Sequence, residues 1–448
     1  MHAATDPTRA VPENAARRCA GGHVPRHTAP RSASAGSSRN PTRRDLLRCA
    51  LWGAAGAALG VRPHGAQAEP APVRLLLTTD LHYLTPRLLA AKGFLDGSAA
   101  QGTIMTRYLD PIVDALVDDV VAQRPDAFVC LGDLAFDGEV PSHEDLAAKF
   151  GRIQDAGVPV LVLPGNHDVH PRCTDGSRTT AETFAGLYGA FGREGASACD
   201  AASLSYEWRP REGLRLLMVD CNAVEQPGTL PDETIAWVEG RLAQARAAGD
   251  RVLSFTHQVL WPSVYNGVAI ENAAALLDLY AHYGVAANFS GHVHVQAVAQ
   301  SSATVTDVTT MALGIAPVQY ACIEVAAGQA DYATRRLDVE GWARATGQTD
   351  PNLLGFCAYT AAYAHDLHYQ NALDALAYEG FDGPEAPELA EYAARLNCAR
   401  YDGTRGSSEF DPRLSRLWVE AAPQTAQRYG YDVDPAGIAD QNRTTIGL

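Results

Sequence analysis

Short apolar runs alternate with amphipathic stretches between residue 73 and about residue 340 of this 448-residue chain. Six runs are nearly continuous in apolar residues, as in strands that are buried on both faces of a sheet. They are VRLLLTT (73–79), AFVCLG (127–132), VPVLVLP (158–164), LRLLMVD (214–220), RVLSFTH (251–257) and VAANFSG (285–291). Between them, apolar residues recur at helical spacing over 104–122, 142–156, 232–247 and 271–283. This alternation predicts a layered α/β domain.

The pattern changes beyond the last of these runs. Shorter β-like runs follow at 303–313 and 320–326, whereas a segment rich in Gly, Ser, Thr and Ala at 171–203 predicts an insertion or a long loop. Toward the end of the chain, apolar residues return to helical spacing. We therefore predict a main α/β domain over 69–340 and a small helical domain over 341–448.

Residues 1–68 have the character of an export signal rather than of a folded domain. Sequence without hydrophobic periodicity leads to TRRDLLRC (42–49), an apolar run from Ala50 to Val61, and AQA at 66–68. Consecutive arginines before a modest apolar run and a small-residue cleavage motif are typical of the twin-arginine pathway. The apolar run is too short to span a bilayer. We expect export by the twin-arginine machinery to the periplasm, the cell envelope or the extracellular space; the alternative is a disordered tail with a chance arginine pair.

The net charge of −16 is unevenly distributed along the chain. Ten arginines against three acidic residues give the first 68 residues a charge of +7, so the remaining chain carries −23. A body this acidic repels long polyanions, which excludes a protein that binds duplex nucleic acid. Small anions that are held by a metal ion stay possible.

Nine cysteines are present, and the seven that follow the predicted signal are an odd number. No complete disulfide framework follows from an odd number. Bridges between Cys173 and Cys199 and between Cys357 and Cys398 are conceivable in an oxidising compartment. Buried free thiols are expected for three cysteines in apolar runs. These are Cys130, Cys221 and Cys322.

Side chains that can bind a metal follow five of the six strand candidates, at or just beyond the carboxyl end. Ligands bind at this edge in open α/β sheets. A single aspartate there usually caps a turn, and a lone histidine is usually a satisfied core residue, but chance does not readily explain five such ends together. In an extended chain, His292 and His294 would point to the same side. The side chains are Asp80, His82, Asp133, Asn166, His167, Asp168, His257, His292 and His294.

Carboxylate, amide and imidazole donors suit Fe, Mn or Zn, among which the sequence does not choose. Two such ions about 3.5–4 Å apart can clamp the attacking and leaving oxygens of a phosphoryl transfer. Asp133 is the natural bridge between them, because Gly132 before it gives room for close approach. The other donors divide into two sets. One is Asp80, His82 and His294, and the other is Asn166, His257 and His292.

The ordered motifs D-x-H (80–82), G-D (132–133), G-N-H-D (165–168), H (257) and G-H-x-H (291–294) resemble the calcineurin-like metallophosphoesterase superfamily. The resemblance covers about residues 73–300. It implies a four-layer α/β/β/α sandwich with a dinuclear metal centre at the strand ends, and it supports the two ligand sets.

The resemblance also implies roles for two residues outside the ligand sets. His167 would protonate the leaving oxygen or otherwise stabilise the transition state, and Asp168 would orient His167 and raise its basicity. The nucleophile would be a metal-bridging hydroxide, available at neutral pH because the metals lower the pKa of water.

Departures from the superfamily pattern indicate which branch of the superfamily this chain resembles. Purple acid phosphatases carry a tyrosine ligand where this chain has Phe136, whereas GDLAFDGEVPSHEDL (132–146) is similar to bacterial enzymes that hydrolyse cyclic nucleotides, some with a helical C-terminal extension. We therefore expect an exported phosphodiesterase for cyclic nucleotides or similar small phosphodiesters. The alternatives are a phosphomonoesterase or nucleotidase with the same centre and a non-catalytic scaffold. The helical domain could cover the site, mediate dimerisation or bind a partner, and the oligomeric state stays open.

Overall fold

Two mixed sheets run through the computed structural model of this chain, which describes residues 71–93, 102–261, 269–300, 304–326 and 328–448. The predicted export signal lies outside the described residues. Thirteen strands occur within the described part. They are β1 (Val73–Thr78), β2 (Ala127–Cys130), β3 (Val160–Val162), β4 (Ala198–Cys199), β5 (Tyr206–Arg211), β6 (Leu214–Val219), β7 (Arg251–Thr256), β8 (Ala287–Ser290), β9 (Ala297–Gln300), β10 (Thr306–Thr309), β11 (Gln319–Ala326), β12 (Gln329–Arg336) and β13 (Arg443–Gly447).

The described residues also form twelve α-helices. They are α1 (Pro86–Leu89), α2 (Leu109–Gln123), α3 (Val140–Asp155), α4 (Ala181–Tyr188), α5 (Asp232–Ala248), α6 (Ala273–Tyr283), α7 (Val339–Ala345), α8 (Pro351–Leu354), α9 (Phe356–Tyr378), α10 (Ala386–Tyr401), α11 (Pro412–Ala421) and α12 (Pro423–Tyr429). None of these helices is both long enough and apolar enough to cross a membrane.

The strand order places five strand ends at one edge of the sandwich. The first sheet runs β13-β12-β11-β1-β2-β3, and the second runs β4-β5-β6-β7-β8-β10-β9. Strands β1, β2 and β3 are parallel to one another, as are β7 and β8 in the other sheet. Parallel neighbours bring their carboxyl ends to the same edge, which is where their loops can share a site.

The side chains of β1 show how the layers form. Leu75 and Leu77 lie between the two sheets with Phe255 and Phe289 of the second sheet, whereas Leu76 packs beneath α2 and α3. Helices α5 and α6 cover the opposite face of the second sheet. The predicted four-layer α/β/β/α sandwich is therefore confirmed, with a core on both faces of each sheet.

The segment predicted as an insertion or long loop over 171–203 contains α4 and β4, so that interpretation was wrong in part. Thr180 begins the helix by accepting a hydrogen bond from the Thr183 N–H at 3.2 Å. Phe184 and Tyr188 are buried on its inner face and pack into the core beneath α3. Only Leu187 and Ala181 join them at the edge of this core, so the short helix has a weak apolar pattern.

The predicted C-terminal helical region has a core of its own. Trp418 is fully buried there among residues of α9, α10 and α11, and its indole N–H donates to the carbonyl of Leu389 at 2.9 Å. The end of the chain is not helical, however, because β13 pairs antiparallel with β12. The boundaries proposed at residues 68 and 340 stay predictions.

All seven described cysteines are free thiols, so neither conceivable bridge is formed. Cys130 and Cys221 are buried, as expected for thiols in or next to apolar runs. Cys322 is only partly buried, on the face of β11 that packs against the edge of the core beneath α2 and α3.

Candidate metal centre

The five predicted strand ends converge where the two sheets meet. Asp80 and His82 follow β1, and Asp133 follows β2. Asn166 follows β3, and the second sheet contributes the residues that follow β7 and β8. The loops are tied together by backbone bonds, including Asp80 N–H to Gly132 C=O at 3.0 Å and Gly291 N–H to His257 C=O at 2.9 Å.

The first cluster consists of Asp80, His82, Asp133 and His294, whose candidate ligand atoms all lie within 4.8 Å of one another. His82 Nε2 lies 3.0 Å from His294 Nε2 and 3.5 Å from Asp133 Oδ2. His294 Nε2 lies 3.3 Å from Asp80 Oδ1. Two imidazole nitrogens and two carboxylates thus point to one spot, as predicted for the first ligand set.

The second cluster consists of Asp133, His257 and His292, again with candidate ligand atoms within 4.8 Å. His257 Nε2 lies 3.4 Å from Asp133 Oδ1 and 3.1 Å from Asn166 Oδ1. Asp133 therefore directs Oδ1 toward this cluster and Oδ2 toward the first. This is the arrangement that a bridging carboxylate requires, and it fits the second predicted set.

Unpaired buried atoms indicate that the clusters fit metal ions. Asp80 Oδ1 and His292 Nδ1 are buried and have no hydrogen-bond partner among the described residues. Such atoms cost free energy unless they are hydrogen-bonded or coordinate an ion. The donors are oxygen and imidazole nitrogen, which suit a hard or borderline divalent ion. The two clusters therefore fit a dimetal centre.

The backbone at the centre is strained. Seven non-glycine residues in the described part of the chain have a positive φ, a conformation that costs of order 1–3 kcal/mol each. Five of the seven belong to the two clusters. They are Asp80 (φ 51°), His82 (44°), Asp133 (48°), His292 (68°) and His294 (60°). The chain is not extended at His292 and His294, because both lie in the left-handed region, and their side chains face the two different clusters to which the ligand sets assign them.

Two glycines let the loops approach closely. A Cβ on Gly132 would lie 2.6 Å from the Gly165 nitrogen and 2.8 Å from His257 Nδ1. A Cβ on Gly165 would lie 2.1 Å from Asp133 Oδ1. Any larger residue at these positions would push the β2 and β3 loops apart, so the room predicted beside Asp133 is present.

Two of the histidines are neutral near pH 7. Burial lowers the pKa of His82 to about 3, although the charge of Asp133 opposes the shift. Burial and the nearby His257 lower the pKa of His292 to about 4. Both rings therefore present a free lone pair, which is the form of imidazole that binds a metal.

The two aspartates are ionised in spite of burial. Burial alone would raise the pKa of both, but neighbouring imidazoles lower the pKa of Asp80 to about 2 and that of Asp133 well below its usual range. Burial likewise opposes charge on His257, yet Asp133 raises the pKa of this imidazole to about 9. Without an ion, a proton on His257 balances the buried negative charge, and an ion that binds there displaces it.

His167 lies at the rim of the centre, with 44% of its side chain exposed. Its backbone N–H donates to Asp133 Oδ1 at 2.8 Å, and its ring meets the His82 ring edge-on, with centroids 5.0 Å apart. Burial alone would lower its pKa, but Asp137 and Asp133 raise the pKa to about 9. The ring is therefore protonated near pH 7.

Asp168 does not have the orienting contact that was expected of it. Its carboxylate is buried and accepts the N–H groups of Gly165 at 2.7 Å and Ala135 at 3.0 Å. The carboxylate beside the His167 ring is instead Asp137, whose Oδ1 lies 3.8 Å from Nδ1. Successive side chains of a tight turn point in different directions, so adjacency in sequence was a poor guide.

Asp137 is the residue that the sequence analysis missed. It stands four positions after Asp133 in the same GDLAFDGE motif, and an acid so close to the bridging residue was an available signal. Its other oxygen, Oδ2, accepts a hydrogen bond from the Arg178 guanidinium at 3.1 Å. Asp168 instead ties the β3 turn to the loop after β2 and so helps to hold Asn166 near Asp133.

Two family models match the sequence. Residues 73–296 match the model described as calcineurin-like phosphoesterase. Residues 338–427 match the model of the C-terminal domain of cyclic nucleotide phosphodiesterase. The search among curated proteins returned no match.

Several solved structures are similar at low identity. A dimetal phosphatase from Danio rerio is 14% identical, with a TM-score of 0.47, and the alignment covers 60% of this chain and 97% of that one. A purple acid phosphatase from yellow lupin (Lupinus luteus) seeds is 16% identical, with a TM-score of 0.42 and coverage of 60% and 52%. PhoD is 10% identical, with a TM-score of 0.36 and coverage of 59% and 66%.

We predict that Asp133→Asn weakens the binding of both metal ions, because each carboxylate oxygen faces one cluster. Losing even an outer partner of a ligand costs about 10–100-fold in affinity, so a shared ligand should cost more than about 100-fold at both positions. Metal titration and elemental analysis measure the effect, and turnover should be abolished.

Asp220→Asn is the matched control for this change. Asp220 is also a buried strand-end aspartate, but it accepts the N–H groups of Leu204, Asn222 and Ala223 outside the clusters. The control should keep both ions. Loss of only one ion from Asp133→Asn would contradict a shared carboxylate.

Proposed function

Because the chain belongs to the calcineurin-like phosphoesterase family, whose model matches residues 73–296, we propose that it hydrolyses cyclic nucleotides or similar small phosphodiesters. It is a metal-dependent phosphoric ester hydrolase. The observation that supports a diester substrate is the match of residues 338–427 to the C-terminal domain of cyclic nucleotide phosphodiesterase. This chain has Phe136 where purple acid phosphatases carry a tyrosine ligand, so it departs from the pattern of those enzymes.

The two clusters would hold the metal ions of this reaction. Asp80, His82 and His294 would bind one ion, and Asn166, His257 and His292 the other, with Asp133 shared. When bound, two Fe, Mn or Zn ions lower the pKa of water and neutralise charge on a phosphoryl group. The neutral rings of His82 and His292 are ready to bind them, because burial has already lowered the pKa of each.

His167 would supply the proton that the departing oxygen requires. The ring stands at the rim next to His82, and its raised pKa keeps it protonated near pH 7. A protonated imidazole that is partly exposed can reach a substrate oxygen and donate to it. Asp137 would hold the ring and its charge in place from the side of Nδ1.

Substrate preference tests the diester assignment. We expect kcat/KM for 2′,3′- or 3′,5′-cyclic nucleotides and for bis-p-nitrophenyl phosphate to exceed that for p-nitrophenyl phosphate and for nucleoside monophosphates. Chelation should abolish the activity, and added metal should restore it. A clear preference for monoesters would contradict the diesterase proposal and favour the nucleotidase alternative, and a metal-loaded protein without any activity would favour the scaffold alternative.

We predict that His167→Ala lowers kcat by about 10²–10⁴-fold, the usual contribution of a general acid, while two ions stay bound. The measurement is kcat together with metal content by elemental analysis. His282→Ala removes an exposed histidine that contacts only Arg246 and Tyr283 among the described residues, and it should leave both quantities unchanged. Loss of metal from His167→Ala would contradict the role proposed for this ring.

We also propose export through the twin-arginine pathway. The support is the sequence TRRDLLRC followed by a short apolar run and AQA at 66–68. That pathway transports folded proteins, so a chain that assembles its metal centre before export suits it. The destination would be the periplasm, the cell envelope or the extracellular space.

Replacing Arg43 and Arg44 by lysine should stop export, and the full-length chain should stay in the cytoplasm of a host that has the pathway. Cell fractionation and the mass of the exported chain measure this. Lysine at Arg17 and Arg18 is the matched control, because this second arginine pair precedes no apolar run. Unchanged export of the Arg43/Arg44 variant would exclude the proposed signal.

A further inference from the structure

Gln296 is a fully buried polar residue two positions after His294, with 1% of its surface exposed. Three of its polar groups have defined partners. Its side-chain amide donates to the Gln441 carbonyl at 2.9 Å, and Oε1 accepts a hydrogen bond from the Tyr332 hydroxyl at 3.1 Å. Its backbone N–H donates to the Tyr401 carbonyl at 3.0 Å. Two of these three partners lie more than 100 residues away in sequence.

Two C-terminal segments, 401–403 and 441–442, close around this residue. The Gln441 side chain accepts the Val298 N–H at 2.7 Å, so it holds the chain just beyond Gln296 as well. The segments also bind each other, since the Gln441 N–H donates to the Gly403 carbonyl at 3.2 Å. Gly403 is in close contact, because a Cβ there would lie 2.8 Å from Gln296 Cγ. We call this arrangement the C-terminal clamp.

The clamp holds the strained loop from one end. On the upstream side, Gly291 N–H bonds to the His257 carbonyl, and His292 N–H bonds to Asp80 Oδ2, each at 2.9 Å. The Val293 N–H bonds to the Gly291 carbonyl at 2.8 Å, which closes the turn on itself, and the next backbone N–H with a hydrogen bond among the described residues is that of Gln296. Residues with positive φ persist only when their surroundings fix them. The backbone N–H of His294 has no hydrogen bond of its own among the described residues, so the clamp holds the backbone of His294 from downstream, whereas the backbone of His292 is fixed by its own bond to Asp80.

We infer that Gln296 is a positioning residue, through which the C-terminal clamp fixes His294 at the metal ion shared with Asp80 and His82. The two clamp segments thus support one of the two metal sites. The inference rests on the dimetal centre and not on the diester substrate of the proposed function. It predicts that damage to the clamp affects the two ions unequally.

Gln296→Met tests this, since methionine keeps the length of the side chain and removes both of its hydrogen bonds. We expect the ion of the first cluster to bind about 10–100-fold more weakly, as when an outer partner of a ligand is lost, while the ion of the second cluster keeps its affinity. Mn²⁺ titration monitored by electron paramagnetic resonance distinguishes the outcomes. The unaltered chain should give the spectrum of a spin-coupled Mn²⁺ pair, and the variant should give the spectrum of isolated Mn²⁺.

Two further variants address the same clamp from other sides. Tyr332→Phe removes one hydroxyl without changing shape and should weaken the same ion to a smaller degree. Gly403→Ala pushes against Gln296 Cγ from the C-terminal segment and should reproduce the selective loss. Asn397→Ala is the control, because this buried amide bonds to the Tyr431 hydroxyl at 2.7 Å in the helical core, outside the clamp.

The inference would be overturned if Gln296→Met and Gly403→Ala kept the spin-coupled pair. It would also be overturned if the variants lost both ions together, since that would indicate general unfolding, or if Asn397→Ala caused the same selective loss. These readouts need no substrate. An unaltered chain that binds two ions but cleaves no diester would refute the proposed function and leave the positioning of His294 intact.

Discussion

The Asp133 carboxylate is the interaction on which the rest of the site depends. Its two oxygens face two clusters, 3.5 Å from His82 Nε2 on one side and 3.4 Å from His257 Nε2 on the other. The residue follows a strand of the first sheet, whereas His257 follows a strand of the second, so one side chain spans the junction of the sheets. A buried carboxylate costs free energy unless hydrogen bonds, a positive charge or a metal ion compensate it, and Asp133 accepts only the His167 N–H besides its two imidazole neighbours. The two sheets can therefore pack together at this junction only if cations or protons compensate the charge of Asp133.

Strain at the ligands follows from the same geometry. With ordinary negative φ angles, the loops after the strands would carry their polar side chains toward solvent. Positive φ at five candidate ligands instead directs these side chains into the junction of the sheets. The free energy for this comes from the cores on both faces of the two sheets, which reach up to the ligand loops through buried residues such as Leu81 and Leu134. The glycines at 132 and 165 allow the loops to approach closely enough for the strained residues to meet.

The sequence predicts the buried parallel strands and the donors that follow them, because continuous apolar runs with polar ends are a strong local pattern. It does not reveal β12 or β13, because the residues of both strands are half exposed and mixed in polarity. Their sequences are QADYATRR (329–336) and RTTIG (443–447). The roles of Asp137 and Asp168 depend on the path of a tight turn, and the directions of His292 and His294 depend on positive φ. Neither can be read from spacing alone, since both are fixed by contacts with residues far along the chain.

The hydrogen bonds that connect the two matched regions involve residues outside both family models. Gln296 is the last residue of the first match, and the second covers 338–427, whereas Tyr332 lies between the two and Gln441 lies beyond them. Yet the hydrogen bonds of Gln296 reach both of these outer residues. Strand β13 begins two residues after Gln441 and pairs with β12, which carries Tyr332, so the sheet itself fixes the distance between the two partners. The strand pairing that completes the first sheet therefore positions the residues beyond 400 whose hydrogen bonds hold the metal-ligand loop.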